Sequence, residues 1–240
     1  MLGCEDPIEL DSAYQITSAD ATRALNIASS ASNIPSFPSD PSAFVAEITN
    51  PYLSFERGKR FQYEGETADG LETIIVEVTN DNKMILGIAT TVVHDQVFLD
   101  GDLIEDTFDW YAQDGNGNVW YFGEDSKEIE DGIVVSTEGS WEAGVNGARP
   151  GLIMLANPQN GIKYQQEFAE DVAEDMAKVL NINKTIEIGL GIFEGCLETM
   201  EFTPLEPGHR EHKYYFPGTG LMLEESPRGG RIELISVTTD

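Results

Sequence analysis

From Asn50 onward the chain alternates apolar and polar residues in short runs, separated by Gly, Asn and Asp, the period-two pattern of half-buried strands. After a turn at Asn50-Pro51, Phe61 and Tyr63 share one face of a first strand. Residues 71–79 alternate again and place Ile74, Val76 and Val78 together. A turn is then expected at Asp81-Asn82, with residues 89–98 as the next strand. The most legible stretch is 92–123, where Asp100-Gly101 and Asn116-Gly117 are both hairpin dipeptides suited to two central positions of positive φ. These turns predict a three-stranded meander. Further strands are expected over 133–141, 185–188, 195–202, 211–216, 220–225 and 231–237, while 144–151 reads as a loop and the apolar run 152–155 ends at a turn at Asn157-Pro158. The predicted fold class is mainly β, a strongly curved antiparallel meander forming a barrel-like or half-barrel sheet.

Two stretches break the alternation. In 167–180, Phe168, Val172, Met176, Val179 and Leu180 recur at helical spacing, and Glu174 stands four residues before Lys178. This pattern predicts a short helix near 168–180; the competing reading is a pair of strands over 164–168 and 176–182. Residues 5–40 are poor in large apolar groups. A second short helix is expected near 18–30, with Ser18 as N-cap and Ala21, Leu25 and Ala28 on one face. Pro35, Pro38 and Pro41 then mark a linker. The chain divides on this reading into a leader, 1–42, and a single antiparallel β domain, 43–240. Residues 5–40 could also add a strand to a neighbouring copy, so self-association through this segment is one expected partner.

Charge narrows the partners. With 43 Asp plus Glu against 14 Lys plus Arg, the 240-residue chain carries a formal charge of −29, which repels nucleic-acid backbones and anionic membrane surfaces. No apolar run is long enough for a transmembrane helix. Met1-Leu2-Gly3-Cys4 followed by Glu5-Asp6-Pro7 has the form of a bacterial lipoprotein signal's end. On that reading Cys4 is the lipidation site and lipid anchor, and the protein is extracytoplasmic: periplasmic, anchored at the outer membrane or secreted. Cys196, the other cysteine, is expected to be buried and unpaired.

The segments Asn50-Pro-Tyr-Leu, Arg57 to Gly65 (RGKRFQYEG), Asp109-Trp-Tyr-Ala-Gln-Asp with Gly117 to Glu124 (GNVWYFGE), and His212 to Leu221 (HKYYFPGTGL) together resemble a group of bacterial secreted or lipoprotein-like domains. The resemblance covers about 50–225. It implies a strongly curved antiparallel sheet and an envelope location, and it implies no activity.

Candidate chemistry follows from the register of 92–124. A turn at Asp100-Gly101 would pair residues summing to 201, setting Gln96 opposite Glu105, His94 opposite Thr107 and Val92 opposite Asp109. One face then gathers His94, Gln96, Glu105, Thr107 and Asp109, and the other Val93, Val97, Ile104, Phe108 and Trp110. Continuing through Asn116-Gly117 sets Asp109 opposite Glu124 and Gln113 opposite Trp120. The polar face is either the wet side of a half-exposed sheet or a metal site formed by His94, Glu105, Asp109 and Glu124, whose imidazole and carboxylates suit Ca²⁺ or a transition metal such as Zn²⁺. Asp114, Asn116 and Asn118 offer oxygens at alternate positions, as a calcium loop begins, but Asp125 stands where an EF-hand needs its glutamate. His209 and His212, three apart in a strand, point to opposite faces. No Gly-x-Ser-x-Gly elbow and no phosphate-binding glycine loop occurs. The function readings are therefore a non-enzymatic envelope-associated or secreted β domain that binds a ligand or divalent cations, a metal-dependent hydrolase using the His/carboxylate cluster, and a structural subunit of a surface assembly.

Overall fold

A computed structural model describes residues 34–45, 47–226 and 230–239. Cys4 and the helix expected near 18–30 lie outside them. Apart from one 3-10 turn, Pro41–Ala43, every regular element described is a strand. The strands are β1 (Phe44–Val45), β2 (Lys59–Glu66), β3 (Leu71–Ile85), β4 (Ile88–Leu99), β5 (Asp102–Asp114), β6 (Val119–Glu130), β7 (Ile133–Ser136), β8 (Trp141–Glu142), β9 (Gly151–Met154), β10 (Lys163–Gln165), β11 (Met176–Ile188), β12 (Gly191–Phe202), β13 (Glu211–Phe216), β14 (Gly220–Glu225) and β15 (Arg231–Thr239). They form one curled antiparallel sheet in the order β10-β11-β12-β13-β14-β15-β2-β3-β4-β5-β6-β7, with β1 on β5 and both β8 and β9 on β6. Most strands lie beside their sequence neighbour. The pairing of β15 with β2 joins the two halves of the meander into one surface.

The long strands bend where a partner carries extra residues. Between the pairs Val78↔Val93 and Asn82↔Thr91 three residues of β3 face one of β4, so the turn expected at Asp81-Asn82 is an irregularity within a strand. The true hairpin turn lies at Leu86 and Gly87, with φ of 52° and 79°. Asp100 and Gly101, at 52° and 93°, form the expected turn with two positive φ values. The second hairpin departs from expectation. Only Gly117 is left-handed there, and Asp114 N–H bonds the Asn118 carbonyl while Gly117 N–H bonds that of Asp114, so the loop holds three residues and the strands slip by one. An irregularity at Gly123 restores the original count beyond it. Gly123 has φ of 122°, and an added Cβ would stand 2.1 Å from the Trp141 carbonyl, so the close pairing of β8 with β6 admits only glycine here.

The helix expected near 168–180 is replaced by β10, a tight turn and β11. The bridge Ala169↔Ala173 closes that turn around Asp171, whose φ is 59°. Val172, required on the buried stripe of a helix, is exposed, while Ala177 and Val179 are fully buried in alternation. Pairing of β11 with β12 along nearly its whole length outweighs a local pattern that had only propensity behind it.

Buried side chains gather in two groups. One centres on Trp110, Trp120, Phe122, Leu152, Met154 and Val179, the other on Phe61, Val93, Cys196, Met222, Leu223 and Leu234. Cys196 is free and buried. Phe55, Tyr111 and Leu221 pack against both groups, and the candidate site lies where the two meet.

Candidate functional site

The register of β4 against β5 decides which polar groups share a face. It starts as expected, with Leu99↔Asp102 and Phe98↔Leu103, but the next pair is Val97↔Glu105, so Ile104 is an extra residue in β5. Such a bulge reverses the facing of everything beyond it. Gln96 now faces Asp106, His94 faces Phe108 and Val93 faces Asp109. The expected grouping of His94 and Gln96 with Glu105, Thr107 and Asp109 is therefore corrected: the histidine and these carboxylates lie on opposite faces. On the outer face His94 Nε2 is 2.7 Å from Asp106 Oδ1, Gln96 donates to the same oxygen at 3.0 Å, and the imidazole stacks on Phe108 at 4.2 Å and 5°. Burial alone would raise the Asp106 pKa, but the bonds from His94 and Gln96 outweigh it and hold the carboxyl below its usual value. Phe108 thus lies on the His94 face, half-buried at the margin of the first core. Val93 and Trp110 are buried, whereas Val97 and Ile104 are half-buried.

The opposite, inner face carries Asp95, Glu105, Thr107 and Asp109, and the pairing Asp109↔Glu124 brings Glu124 to the same face. That pairing agrees with expectation because the slip at the second hairpin and the irregularity at Gly123 cancel; nearer the turn, Gln113 faces Val119 and not Trp120. Asp109 is 8% exposed. It accepts from the Tyr121 hydroxyl at 2.5 Å and from that of Tyr111, whose ring stacks on Tyr121 at 4.8 Å. Burial nonetheless raises the Asp109 pKa to about 6, with Glu105 adding to the effect. Glu124 is pushed up to about 9 by burial and by Asp109, and Glu167 to about 8 by burial and by Asp175. Glu124 and Glu167 are thus carboxyls kept protonated at neutral pH by a poorly hydrated setting.

A cavity of about 140 Å³ opens on this face. Its apolar wall includes Phe55, Phe61, Val76, Val93 and Leu221, its phenol wall Tyr63, Tyr111 and Tyr215, and its charged groups Asp95, Asp109, Glu201 and Lys213. Lys213 projects from β13, where alternation along His212-Lys-Tyr-Tyr-Phe sends it and Tyr215 to one side. Its ammonium lies 3.2 Å from Glu201 Oε2 and 3.6 Å from Glu224 Oε2. Burial works against that charge, but Glu201 and Glu224 hold the Lys213 pKa well above its ordinary value. Glu201 also accepts from Tyr215 and Thr199 at 3.1 and 3.2 Å. Asp95 differs from its neighbours, because its Oδ1 is enclosed and meets no hydrogen-bond donor. Burial, Asp109 and Glu105 raise its pKa well above the ordinary carboxyl value.

The loop at 114–118 is held from within. Asp114 is 2% exposed; its Oδ1 accepts from the backbone N–H of Asn116 and Asn118, and its Oδ2 from Asn118 Nδ2 and Trp120 Nε1, at 2.8 to 3.1 Å. Asn118 Oδ1 receives the Ala156 N–H, and Asn50 Nδ2 donates to the Gly117 and Leu155 carbonyls. These oxygens fasten three loops together, so the alternate spacing of Asp114, Asn116 and Asn118 has an internal explanation. Among the described residues no group of three or more His, Cys, Asp or Glu side chains is arranged to hold a metal ion.

Two residues central to the cavity escaped sequence reasoning. Asp95 adjoins His94, and the undetected bulge assigned it to the wrong side. Lys213 stood inside a segment read only as a mark of the fold, although a lone lysine alternating with tyrosines in a strand was a usable signal.

No family model matches the chain, and no curated protein matches it. Two solved structures are similar. A candidate exported protein with a YmcC-like fold from Bacteroides fragilis aligns with a TM-score of 0.43 and 13% identity, over 82% of this chain and 100% of that one. A candidate lipoprotein from Parabacteroides distasonis aligns with a TM-score of 0.42 and 11% identity, over 81% of this chain and 100% of that one.

Proposed function

We propose that the protein is a non-catalytic, extracytoplasmic β domain that holds a small ligand in the cavity between its two cores. The observation that carries this reading is a cavity far larger than one water needs, with the half-buried Asp95 on its wall, a carboxyl whose enclosed Oδ1 meets no donor from the fold. A buried acceptor left bare costs free energy in the empty protein, and a ligand that donates to it recovers that cost. Lys213 supports binding over catalysis. Its pKa is raised and its ammonium is clamped between Glu201 and Glu224, which makes it a fixed charge and not a nucleophile or base. The extracytoplasmic assignment rests on the Met1-Leu-Gly-Cys4 opening and on the resemblance of the 50–225 motifs to envelope domains.

The test is a ligand-observed NMR screen of fragments that fit 140 Å³, run on the wild type and on Val76→Phe, which fills the cavity from its half-buried wall. The reading requires hits that Val76→Phe abolishes. An empty screen, or hits that persist in the filled variant, would show that the cavity is only a packing gap.

A further inference from the structure

We infer that the cavity recognises a small organic cation, an alkylammonium or guanidinium group carried on a short apolar body. This rests on the ligand-binding reading above and names the ligand class it implies.

The lining residues supply three carboxyl groups, Asp95, Asp109 and Glu201, against one ammonium, Lys213. That ammonium is not free to take an anion, since Glu201 and Glu224 already occupy it at 3.2 and 3.6 Å. A second negative charge brought here would meet Asp95 and Asp109 in a poorly screened space. A positive charge would meet the Asp95 carboxyl, which lines the cavity half-buried. The Asp109 carboxylate is narrower in what it can accept, because the Tyr121 and Tyr111 hydroxyls already donate to it.

The same balance argues against an inorganic cation. Ca²⁺ needs six or more oxygens and Zn²⁺ a set of imidazole, thiolate or carboxylate ligands. The histidine once expected near these carboxylates faces outward with Asp106. No cluster of three metal-ligating side chains exists among the described residues. What surrounds Asp95 instead is aromatic and aliphatic: the faces and edges of Phe55, Phe61, Tyr63 and Tyr111, with Val76 and Val93. Such walls favour a cation with a hydrocarbon body, which is attracted to ring faces and loses little hydration. Phe55, Val76, Tyr111 and Leu221 keep part of their surface accessible, so the cavity has an entrance from water.

Burial together with Asp109 and Glu105 holds a proton on Asp95 well above the ordinary carboxyl range. Binding an ammonium should therefore expel a proton, which a measurement can count. The experiment is calorimetric titration of the full chain at pH 6.5 with ethylammonium and guanidinium, with acetamide and acetate as neutral and anionic probes, and with Ca²⁺ and Zn²⁺. Each is run in two buffers of different ionisation heat. Asp95→Asn and Asp109→Asn are titrated in parallel, with near-UV circular dichroism as the check that each remains folded. Asn matches Asp in shape, and Val76→Phe serves as an independent block should either Asn variant misfold.

The expected result is millimolar binding of the organic cations, the ceiling set by so small a ligand, with buffer-dependent heat. Asp95→Asn should weaken it at least tenfold, and Val76→Phe should remove it. Equal binding in Asp95→Asn would place the cations on the acidic outer surface and overturn the inference. Acetamide or acetate binding in the cavity, where the cations do not, would overturn the cation assignment and leave a ligand cavity standing. Displacement of the amines by Ca²⁺ or Zn²⁺ would assign the site to a metal and overturn it as well. No binding by any probe would overturn both this inference and the proposed function.

Discussion

Replacing Lys213 by Met puts the electrostatics of the inner face to the test. The side chain is 25% accessible, and its ammonium lies 3.2 Å from Glu201 and 3.6 Å from Glu224. At an effective dielectric of ~20, each contact is an attraction of about 5 kcal/mol before desolvation is counted. Desolvation of the three ions takes back most of that, but truncating one member leaves the others buried and unpaired, which costs about 3 to 5 kcal/mol. Partial access to water and uptake of a proton by Glu224, whose pKa burial has already raised to about 7, place the expected loss near the lower end. Lys213→Met should thus lose roughly 3 kcal/mol at pH 7.5, a fall of about 10 °C in melting temperature for a domain of this size. At pH 5 Glu224 is protonated and the loss should shrink to about 1 kcal/mol. Urea unfolding followed by tryptophan fluorescence measures both values. Lys127→Met is the control, since Lys127 pairs with Asp125 at 3.0 Å on an open surface and should cost about 0.5 kcal/mol or less. A loss below 0.5 kcal/mol for Lys213→Met, or an equal loss at both pH values, would refute the picture of a charge clamped among buried carboxylates.

Wild-type stability should fall as pH rises from about 5 to 9. Burial raises Glu124 to about 9 and Glu167 to about 8, so the folded state keeps protons that the unfolded chain releases above pH ~4.3, and the slope is negative. Taken at face value these two shifts amount to about 7 kcal/mol between pH 5 and pH 8, so a decline of at least about 2 kcal/mol in urea midpoints is expected; a rise over that interval would contradict it. Asp95→Asn should stabilise the protein by about 1 kcal/mol at pH 8, because it removes a carboxyl that burial, Asp109 and Glu105 make costly to ionise, while it weakens ligand binding. Asp114→Ala should cost about 3 kcal/mol in the same assay, since four N–H donors lose their acceptor at once. Gly123→Ala should cost at least about 3 kcal/mol and reduce soluble yield, because its Cβ collides with the Trp141 carbonyl at 2.1 Å; a near-neutral effect would mean that β8 does not pair with β6 as described.

Most strands were legible because alternation and turn residues are local signals, written in neighbouring positions. The Asp100-Gly101 turn came out as expected for that reason. The second hairpin shows the limit, since Asp114-Gly-Asn-Gly-Asn contains two glycines and the choice between a two-residue and a three-residue loop rests on Asp114, whose carboxylate is completed by Trp120. Residues 168–180 failed differently. Their helical spacing is real, but Ala177 and Val179 gain more by covering the core from β11 than Val172 could by lying on a helix.

The candidate site was half legible. Asp109 and Glu124 were placed together by counting from the turns, and they do pair. His94 was placed with them by the same count, and one extra residue, Ile104, sent it to the other side. The chain by itself determined an antiparallel meander, a strongly acidic surface and the list of groups that could meet on either face of 92–124. Tertiary structure decided which face each group took. A bulge is set by how strands from distant parts of the chain settle against one another, and alternation turns a one-residue slip into a complete exchange of faces. The meeting of Asp95 and Asp109 with Lys213, more than a hundred residues downstream, exists only because β15 closes onto β2 and curls the two halves of the sheet around one cavity.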